Sequence, residues 1–291
     1  MLSGFTIVRN AVSLDYPIVP ALRSILEICD EVIVNVGQSA DGTRDLVAAV
    51  DDPRVRIIDS VWDFSRGSGV LALETERAMR ACRGVWGLYI QADEVLHETG
   101  AAILQERVQA CGTDPRVEGL LVDYRHFYGD FDTVATNRHW YRREVRCVRL
   151  DRDIRSYQDA QGFRVGSALR RVRARVTGAQ MFHYGWAGAS QSLARKLAVS
   201  QQIFTEAGAR LGQRAAARRD GGLEWTPLLR RFEGTHPRVA QDWIAARRCL
   251  PAAPVVAPRR LRLGHLRLYA SDWIERLTGA RVFEYRNYVE V

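Results

Sequence analysis

Lysine is almost missing from this 291-residue chain: Lys196 stands alone, and the rest of the positive charge is arginine. No apolar run approaches the ~20 residues that a membrane span requires. No Cys-x-x-Cys pair occurs, and the five cysteines, Cys29, Cys82, Cys111, Cys147 and Cys249, are odd in number and far apart. That spacing argues against a thiolate zinc site and suits a reducing compartment. The opening residues, MLSGFTIVRN, pass straight into a strand-like pattern without the charged segment and apolar core of an export signal. A soluble, cytoplasmic protein is expected. A formal charge of +8 and a pI near 9.6 invite a nucleic-acid reading. The arginines are interspersed with acids and no base-reading motif is present, so no nucleic-acid partner is expected.

What is there is ordinary for a globular protein: 47% hydrophobic and 26% charged residues. Gly4 to Val8 is a β-branched and aromatic run stopped by Arg9-Asn10, and Pro17 and Pro20 open a helix with Ala21, Leu22, Ile25 and Leu26 on its apolar face. EVIVNV, from Glu31 to Val36, is a second strand, and Gly37 to Thr43 leads from it into a helix through Val50. Arg54 to Ile58, a helix from Leu71 to Arg83 and a fourth strand follow. Alternating units of this length predict a mainly parallel, doubly wound α/β sheet.

The fourth strand carries the most informative stretch, Trp86 to Glu98, WGLYIQADEVLHE. An apolar strand ends here in Gln91, Asp93, Glu94, His97 and Glu98, at the edge where such sheets gather ligands. Carboxylates are hard donors that suit Mg²⁺ or Mn²⁺, ions that complete their shells with phosphate and water. Downstream the pattern gives a strand from Gly119 to Tyr124, an aromatic loop at His126 to Gly129, and a hairpin or bent strand pair from Arg138 to Leu150. A polar loop from Arg155 to Phe163, a strand from Gln180 to Tyr184, and helices over Ser190 to about Gly212 and Pro237 to Arg248 complete it. Pro251, Pro254 and Pro258 mark a linker. The last segment is expected to be a small appendage with one helix near Ser271 to Leu277.

The stretches FTIVRNAV, CDEVIVNVGQSADGTRDLV, YIQADEVLHE, DPRVEGLLVDYRHFYG, RSYQDAQGFR, FHYGW, FEGTHP and TGARVFEYRNY run in order from near residue 4 to near residue 288. In that order the chain resembles a bacterial branch of glycosyltransferase family 2, nucleotide-sugar glycosyltransferases of the GT-A fold. The resemblance implies a GT-A-type, Rossmann-like sheet with a C-terminal helical extension. On this division residues 1–190 form the nucleotide-sugar and catalytic domain, 191–250 a helical part, 251–260 the Pro-rich linker and 261–291 the appendage.

It also implies a division of labour. Asp93 matches the second aspartate of the family's Asp-x-Asp metal motif, while Gln91 stands in place of the first. His183 matches a histidine that family members often add to the metal. Asp159 takes the place of the catalytic base of inverting members. Arg9, Asn10, Gly37, Ser39 and Asp41 correspond to the nucleotide pocket, and Arg66 and Lys196 are placed to reach the diphosphate. Tyr128, Arg138, Trp140, Tyr141 and Trp186 suit an acceptor. The implied ligands are Mn²⁺ or Mg²⁺ and a UDP-, GDP- or dTDP-sugar, with a glycan, lipid-linked or protein acceptor.

Val36 and Gly37 lie where most relatives carry acids that read uracil, so the base of the donor stays open. Peripheral contact with the inner face of a membrane and a homodimer are both compatible with the pattern. Two other functions are weighed: a catalytically silent sugar- or nucleotide-binding module, for which Gln91 argues, and a sugar-phosphate nucleotidyltransferase. The latter needs a Gly-rich loop after the first strand, where this chain reads Arg9-Asn10-Ala11-Val12-Ser13.

Overall fold

The computed structural model describes residues 1–204, 223–257 and 263–291. The expected helix past Phe204 to Gly212, and Pro258 of the expected linker, fall outside the described residues. The elements in chain order are β1 (Leu2–Val8), α1 (Ile18–Leu26), β2 (Glu31–Gly37), α2 (Thr43–Ala48), β3 (Val55–Ser60), α3 (Gly69–Arg80), β4 (Trp86–Tyr89), β5 (Glu94–Leu96) and α4 (Glu98–Ala110). Then come β6 (Gly119–Gly129), β7 (Thr133–Ala135), β8 (Arg143–Arg149), β9 (Ile154–Tyr157), β10 (Gly162–Val165), β11 (Arg170–Ala187) and α5 (Ser190–Phe204). The chain closes with β12 (Leu223–Glu224), β13 (Leu229–Arg231), α6 (Gln241–Arg248), β14 (Val255–Val256), α7 (Leu263–Thr278) and β15 (Tyr288–Glu290).

β3, β2, β1 and β4 are parallel neighbours in that order. Both faces of β2, β1 and β4 are covered, so they read as near-continuous apolar runs, while β3 is the half-buried edge. In β2, Val32, Val34 and Val36 face a core built with α1, α2 and α4, while Ile33 faces a second core shared with α3 and the β9–β10 hairpin. Asn35, on the Ile33 face, is the most deeply buried polar residue of β2. It is buried, and its amide donates to the Glu74 carbonyl and carboxylate of α3 at 2.9 and 2.8 Å, which meets the requirement that a buried polar group find a partner.

Beyond β4 the sheet becomes mixed. β8 runs antiparallel between β4 and β6, and β6 is parallel to β11. This is where the structure departs from the pattern. The expected aromatic loop at His126–Gly129 is the end of β6, flanked by β7 and β11, because His126, Phe127 and Tyr128 are buried between them. The expected hairpin over Arg138–Leu150 is one strand, β8, and the polar loop after Arg155 is the β9–β10 hairpin. The Pro-rich stretch is tied in: Ala252 bridges Ala189, and β14 pairs with β12. The tail is stitched in too, since Tyr288 pairs with Val172 of β11.

Topology then dictates where a ligand goes. β1 leads through α1 to β2 on one side, while β4 lies on its other side, so the carboxyl ends of β1 and β4 open a crevice at the point where strand order reverses. Arg9 and Asn10 follow β1, and Gln91 and Asp93 follow β4.

Candidate active site

A cleft of about 1030 Å³ opens at this crevice. Of the residues singled out in the sequence, Arg9, Arg66, Gln91, Asp93, Arg138, Trp140, Tyr141, Asp159, His183, Trp186 and Lys196 line it. They come from the ends of four strands, two loops and α5. A second hollow of about 310 Å³ adjoins it through Arg9, Trp62 and Phe64, and takes in Asn10 and Ser39.

The centre is a bulge. His183 of β11 pairs with His126 of β6, yet Trp186 pairs with Tyr128, so β11 carries one extra residue between them. The bulge meets the loop before β5: the Tyr184 N–H donates to the Asp93 carbonyl at 2.8 Å, and His183 pairs with Glu94 across the strands. The result sets Asp93 Oδ2 3.4 Å from His183 Nε2. A Cβ on Gly185 would lie 2.5 Å from that oxygen and 2.7 Å from that nitrogen. Only glycine leaves the space that both atoms face.

Hydrogen-bond logic sets the tautomers here. A carbonyl can only accept, so the 2.8 Å contact to the Tyr141 carbonyl places a proton on His126 Nε2. Burial, helped by the nearby His183, pushes His126 well below its ordinary value and keeps the ring neutral, leaving Nδ1 a bare acceptor. His183 Nδ1, 3.0 Å away, then supplies the proton. His183 Nε2 is thereby turned toward the Asp93 carboxylate. A ring nitrogen and a carboxylate oxygen at that separation share a cation, a proton or a metal ion. Burial works to raise the Asp93 carboxyl, but the charge and hydrogen bond of His183, with Lys196 behind them, outweigh it and hold the group below the usual range. Among the described residues no group of three or more His, Cys, Asp or Glu is placed to hold a metal. A one-carboxylate, one-imidazole seat fits an ion that takes its remaining ligands from phosphate and water.

Lys196, reached from the turn after β11, lies over the Tyr16 ring at 4.9 Å. Burial lowers its ammonium to about 8, and Asp93 and Asp15 hold it from falling further, so it stays largely charged at neutral pH. Arg9 donates to the Gln38 carbonyl and lies over the Phe64 ring. Gly37 lies beneath Trp62, whose ring a Cβ there would meet at 2.6 Å. Trp62 and Phe64 therefore give the smaller hollow flat aromatic walls, which the sequence pattern did not flag.

Asp159 lies half-buried at the β9–β10 turn, between Gln158 and Ala160, both in the left-handed region. Two non-glycine residues held there cost strain that tight packing must sustain. Arg155 pairs with Asp153, and Arg164 donates to the Phe163 and Asn287 carbonyls. Trp140 and Trp186 meet edge to face at 6.1 Å on the opposite wall.

Other expectations are corrected. Tyr128 is not among the cleft's lining residues: it is 1% exposed and its hydroxyl donates to the Glu224 carbonyl. Asp41 holds two loops together, accepting from Thr43 and from the Ser13 N–H at 2.8 Å. Glu94 is no ligand either. It is wholly buried and saturated by the Arg146 guanidinium, the Tyr124 hydroxyl and the Gln91 N–H. His97 caps α4 and Glu98 accepts from the Arg238 N–H. Arg146, unflagged by sequence, is the counter-charge that lets Glu94 sit beneath the site.

Behind Asp159, Glu144 accepts from the Gln161 side chain at 2.8 Å, and its other oxygen has no hydrogen-bond partner among the described residues. Burial, with the nearby Asp159 and Glu94 charges, pushes it up to about 7 from 4.5. The folded state keeps a proton that the unfolded chain releases, so this group's contribution is complete below pH 4.5 and is lost as pH rises through 7. Glu144→Gln removes that loss. Its stability relative to the parent should rise by roughly 3 kcal/mol between pH 4.5 and pH 8, read from denaturant midpoints at both values. An unchanged difference would contradict the burial.

Comparisons with known proteins come out as follows. No family model matches the chain. Over 106 residues it is 35% identical to the succinoglycan biosynthesis protein ExoO of Rhizobium meliloti (strain 1021), a match that takes in 35% of this chain. The match spans 29% of that relative's length. Among solved structures, S. aureus TarS 1-349 in complex with UDP is 14% identical with a TM-score of 0.41, over 72% of this chain and 67% of that one. Glucosyl-3-phosphoglycerate synthase from Mycobacterium tuberculosis, in complex with Mn²⁺, UDP and phosphoglyceric acid, is 18% identical with a TM-score of 0.31, over 43% of each chain.

Proposed function

We infer that this chain is a metal-dependent, inverting glycosyltransferase that moves a sugar from a nucleoside-diphosphate donor to a glycan, lipid-linked or protein acceptor. The observation that carries the reading is a single cleft with a cation seat at Asp93, His183 and Gly185 and a separate carboxylate, Asp159, on another wall. The partial likeness to a succinoglycan biosynthesis protein supports a glycan acceptor.

Each part has a chemical role on this reading. Asp93 and His183 would hold a divalent cation, which when bound neutralises charge on the leaving diphosphate. Lys196, Arg9 and Arg66 add cationic groups around the same anion, with Lys196 the most desolvated and so the strongest per contact. Trp62 and Phe64 offer a stacking surface to the base, in place of the acid that would read it by hydrogen bonds. Trp140 and Trp186 present aromatic edges and faces to an acceptor sugar, with Arg138 beside them. Asp159 takes the proton from the acceptor hydroxyl. One displacement by that hydroxyl inverts the anomeric centre, so no covalent nucleophile is needed.

A thermal-shift screen of UDP, GDP, CDP and dTDP, each with and without Mn²⁺, tests the donor half. A nucleotide at a hundred times its dissociation constant stabilises by about 2.7 kcal/mol. One nucleotide should shift the parent only with metal, and Asp93→Ala should lose the shift. No shift with any nucleotide would remove the reading and favour a binding module with another ligand.

A further inference from the structure

We propose that the outward face of α7 docks the protein on an anionic lipid surface. At 100° per residue, Leu263, Leu266, Ala270, Trp273 and Leu277 fall on one arc of this helix. That arc is turned to solvent: Leu263, Trp273 and Leu277 are 65–67% exposed and Leu266 is 53% exposed. Leu268 and Ser271, on the opposite arc, are the buried contacts with the body. A solvent-facing helix normally turns its polar residues outward, and here the pattern is inverted.

The charges sort in the same way. The acids of α7, Asp272 and Glu275, are drawn inward. Asp272 pairs with Arg230 and Arg276, and Glu275 with Arg142 and Arg281. Arg267 and Arg276 flank the apolar arc on either side, and both are exposed. The outward half of the helix thus offers apolar groups and the Arg267 cation, with Arg276 beside them paired to Asp272, the combination that an interfacial helix uses against anionic headgroups, with tryptophan at headgroup depth. At 16 residues it would lie in the surface, and no described helix is long and apolar enough to cross a membrane. A two-fold dimer through the same arc would bring the Arg267 rims of two copies together, while an anionic surface complements them, which disfavours a second copy as the occupant.

The placement links the surface to the cleft. The chain leaving α7 is pinned by Arg281, which donates to the Trp140 and Thr136 carbonyls, and residues Phe283, Glu284, Tyr285 and Asn287 then line the cleft. Phe283 is 87% exposed, and Arg138 lies over its ring. Docking through α7 would hold the acceptor side of the cleft next to the headgroups. The docking itself does not depend on the glycosyltransferase reading.

The test is co-sedimentation of the full chain with vesicles of phosphatidylcholine alone and of phosphatidylcholine with 30% phosphatidylglycerol. Binding is expected to the anionic vesicles, with the bound fraction falling at least tenfold in Leu266→Ser/Trp273→Ser and a melting temperature unchanged by the substitutions. A parent that stays in the supernatant with anionic vesicles overturns the proposal, and so does equal binding of parent and variant. Light scattering provides the remaining arm: a parent dimer that the same substitutions turn into a monomer would make this face an interface between copies and overturn the lipid assignment.

Discussion

Gly185→Ala should abolish metal-dependent binding of a nucleoside diphosphate and cut sugar transfer by roughly 10³-fold, about 4 kcal/mol of transition-state stabilisation. The reason is local. Gly185 has no left-handed φ, so alanine strains no backbone, and its Cβ would intrude only where Asp93 Oδ2 and His183 Nε2 face each other. Neither neighbour has easy room to yield, because His183 is tethered through His126 to the Tyr141 carbonyl, and the Asp93 carbonyl is held by the Tyr184 N–H. The ligand-free protein should keep its melting temperature within a few degrees, since the strands on either side are untouched. The measurement pairs a Mn²⁺ titration, followed by thermal shift at saturating nucleotide, with turnover on the same preparation. An alanine variant that still gains stability from metal and nucleotide together would show that the cation is not held between these two side chains.

The parallel half of the sheet is legible in the sequence because it obeys one rule. Strands covered on both faces are apolar throughout, and EVIVNV or GLYI can be little else. The antiparallel half follows no such rule. β11 begins Arg170-Arg171-Val172-Arg173-Ala174-Arg175, where buried Val172 and Ala174 alternate with arginines, two of which pair with Glu118. A run so rich in charge reads as a loop until its neighbours are known. His126 to Gly129 misleads in the opposite sense, since His-Phe-Tyr-Gly has the composition of a binding loop, yet it is a strand locked between β7 and β11. The Pro-rich stretch and the tail read as separable because pairing with β12 and β11 over two or three residues leaves no periodic trace.

Legibility of the site divides along similar lines. Asp93, Gln91, Arg9 and Lys196 sit at strand ends or just inside a helix, positions that the order of elements brings to one crevice. Glu94 could not be told from Asp93 by sequence, for the two are adjacent carboxylates with opposite fates. One faces the cleft; the other faces inward to Arg146, 52 positions along the chain. His126 and Gly185 acquire meaning only through the bulge in β11, a register slip that no local pattern announces. Tyr128 lies on the same face of β6 as His126, whose ring reaches the cleft, but it packs against Trp140 and Leu223 and spends its hydroxyl on the Glu224 carbonyl.

Asp159→Asn should lower kcat by roughly 10³-fold while leaving nucleotide affinity within a factor of two. Asparagine keeps an oxygen in the place where Oδ1 meets the Gln161 N–H at 3.4 Å, so the turn between β9 and β10 should hold its shape. What it loses is the ability to take a proton. On the proposed reading that loss affects the acceptor hydroxyl and not the donor, whose cation seat would be built from residues on other strands. The two carboxylates therefore make separable predictions: disrupting the Asp93 seat removes metal-dependent donor binding along with turnover, whereas Asp159→Asn removes turnover alone. A product of inverted anomeric configuration from the parent, assigned by NMR, would complete the single-displacement assignment. Retention, or an asparagine variant with parental kcat, would remove Asp159 from the base position and require the acceptor proton to leave by another route.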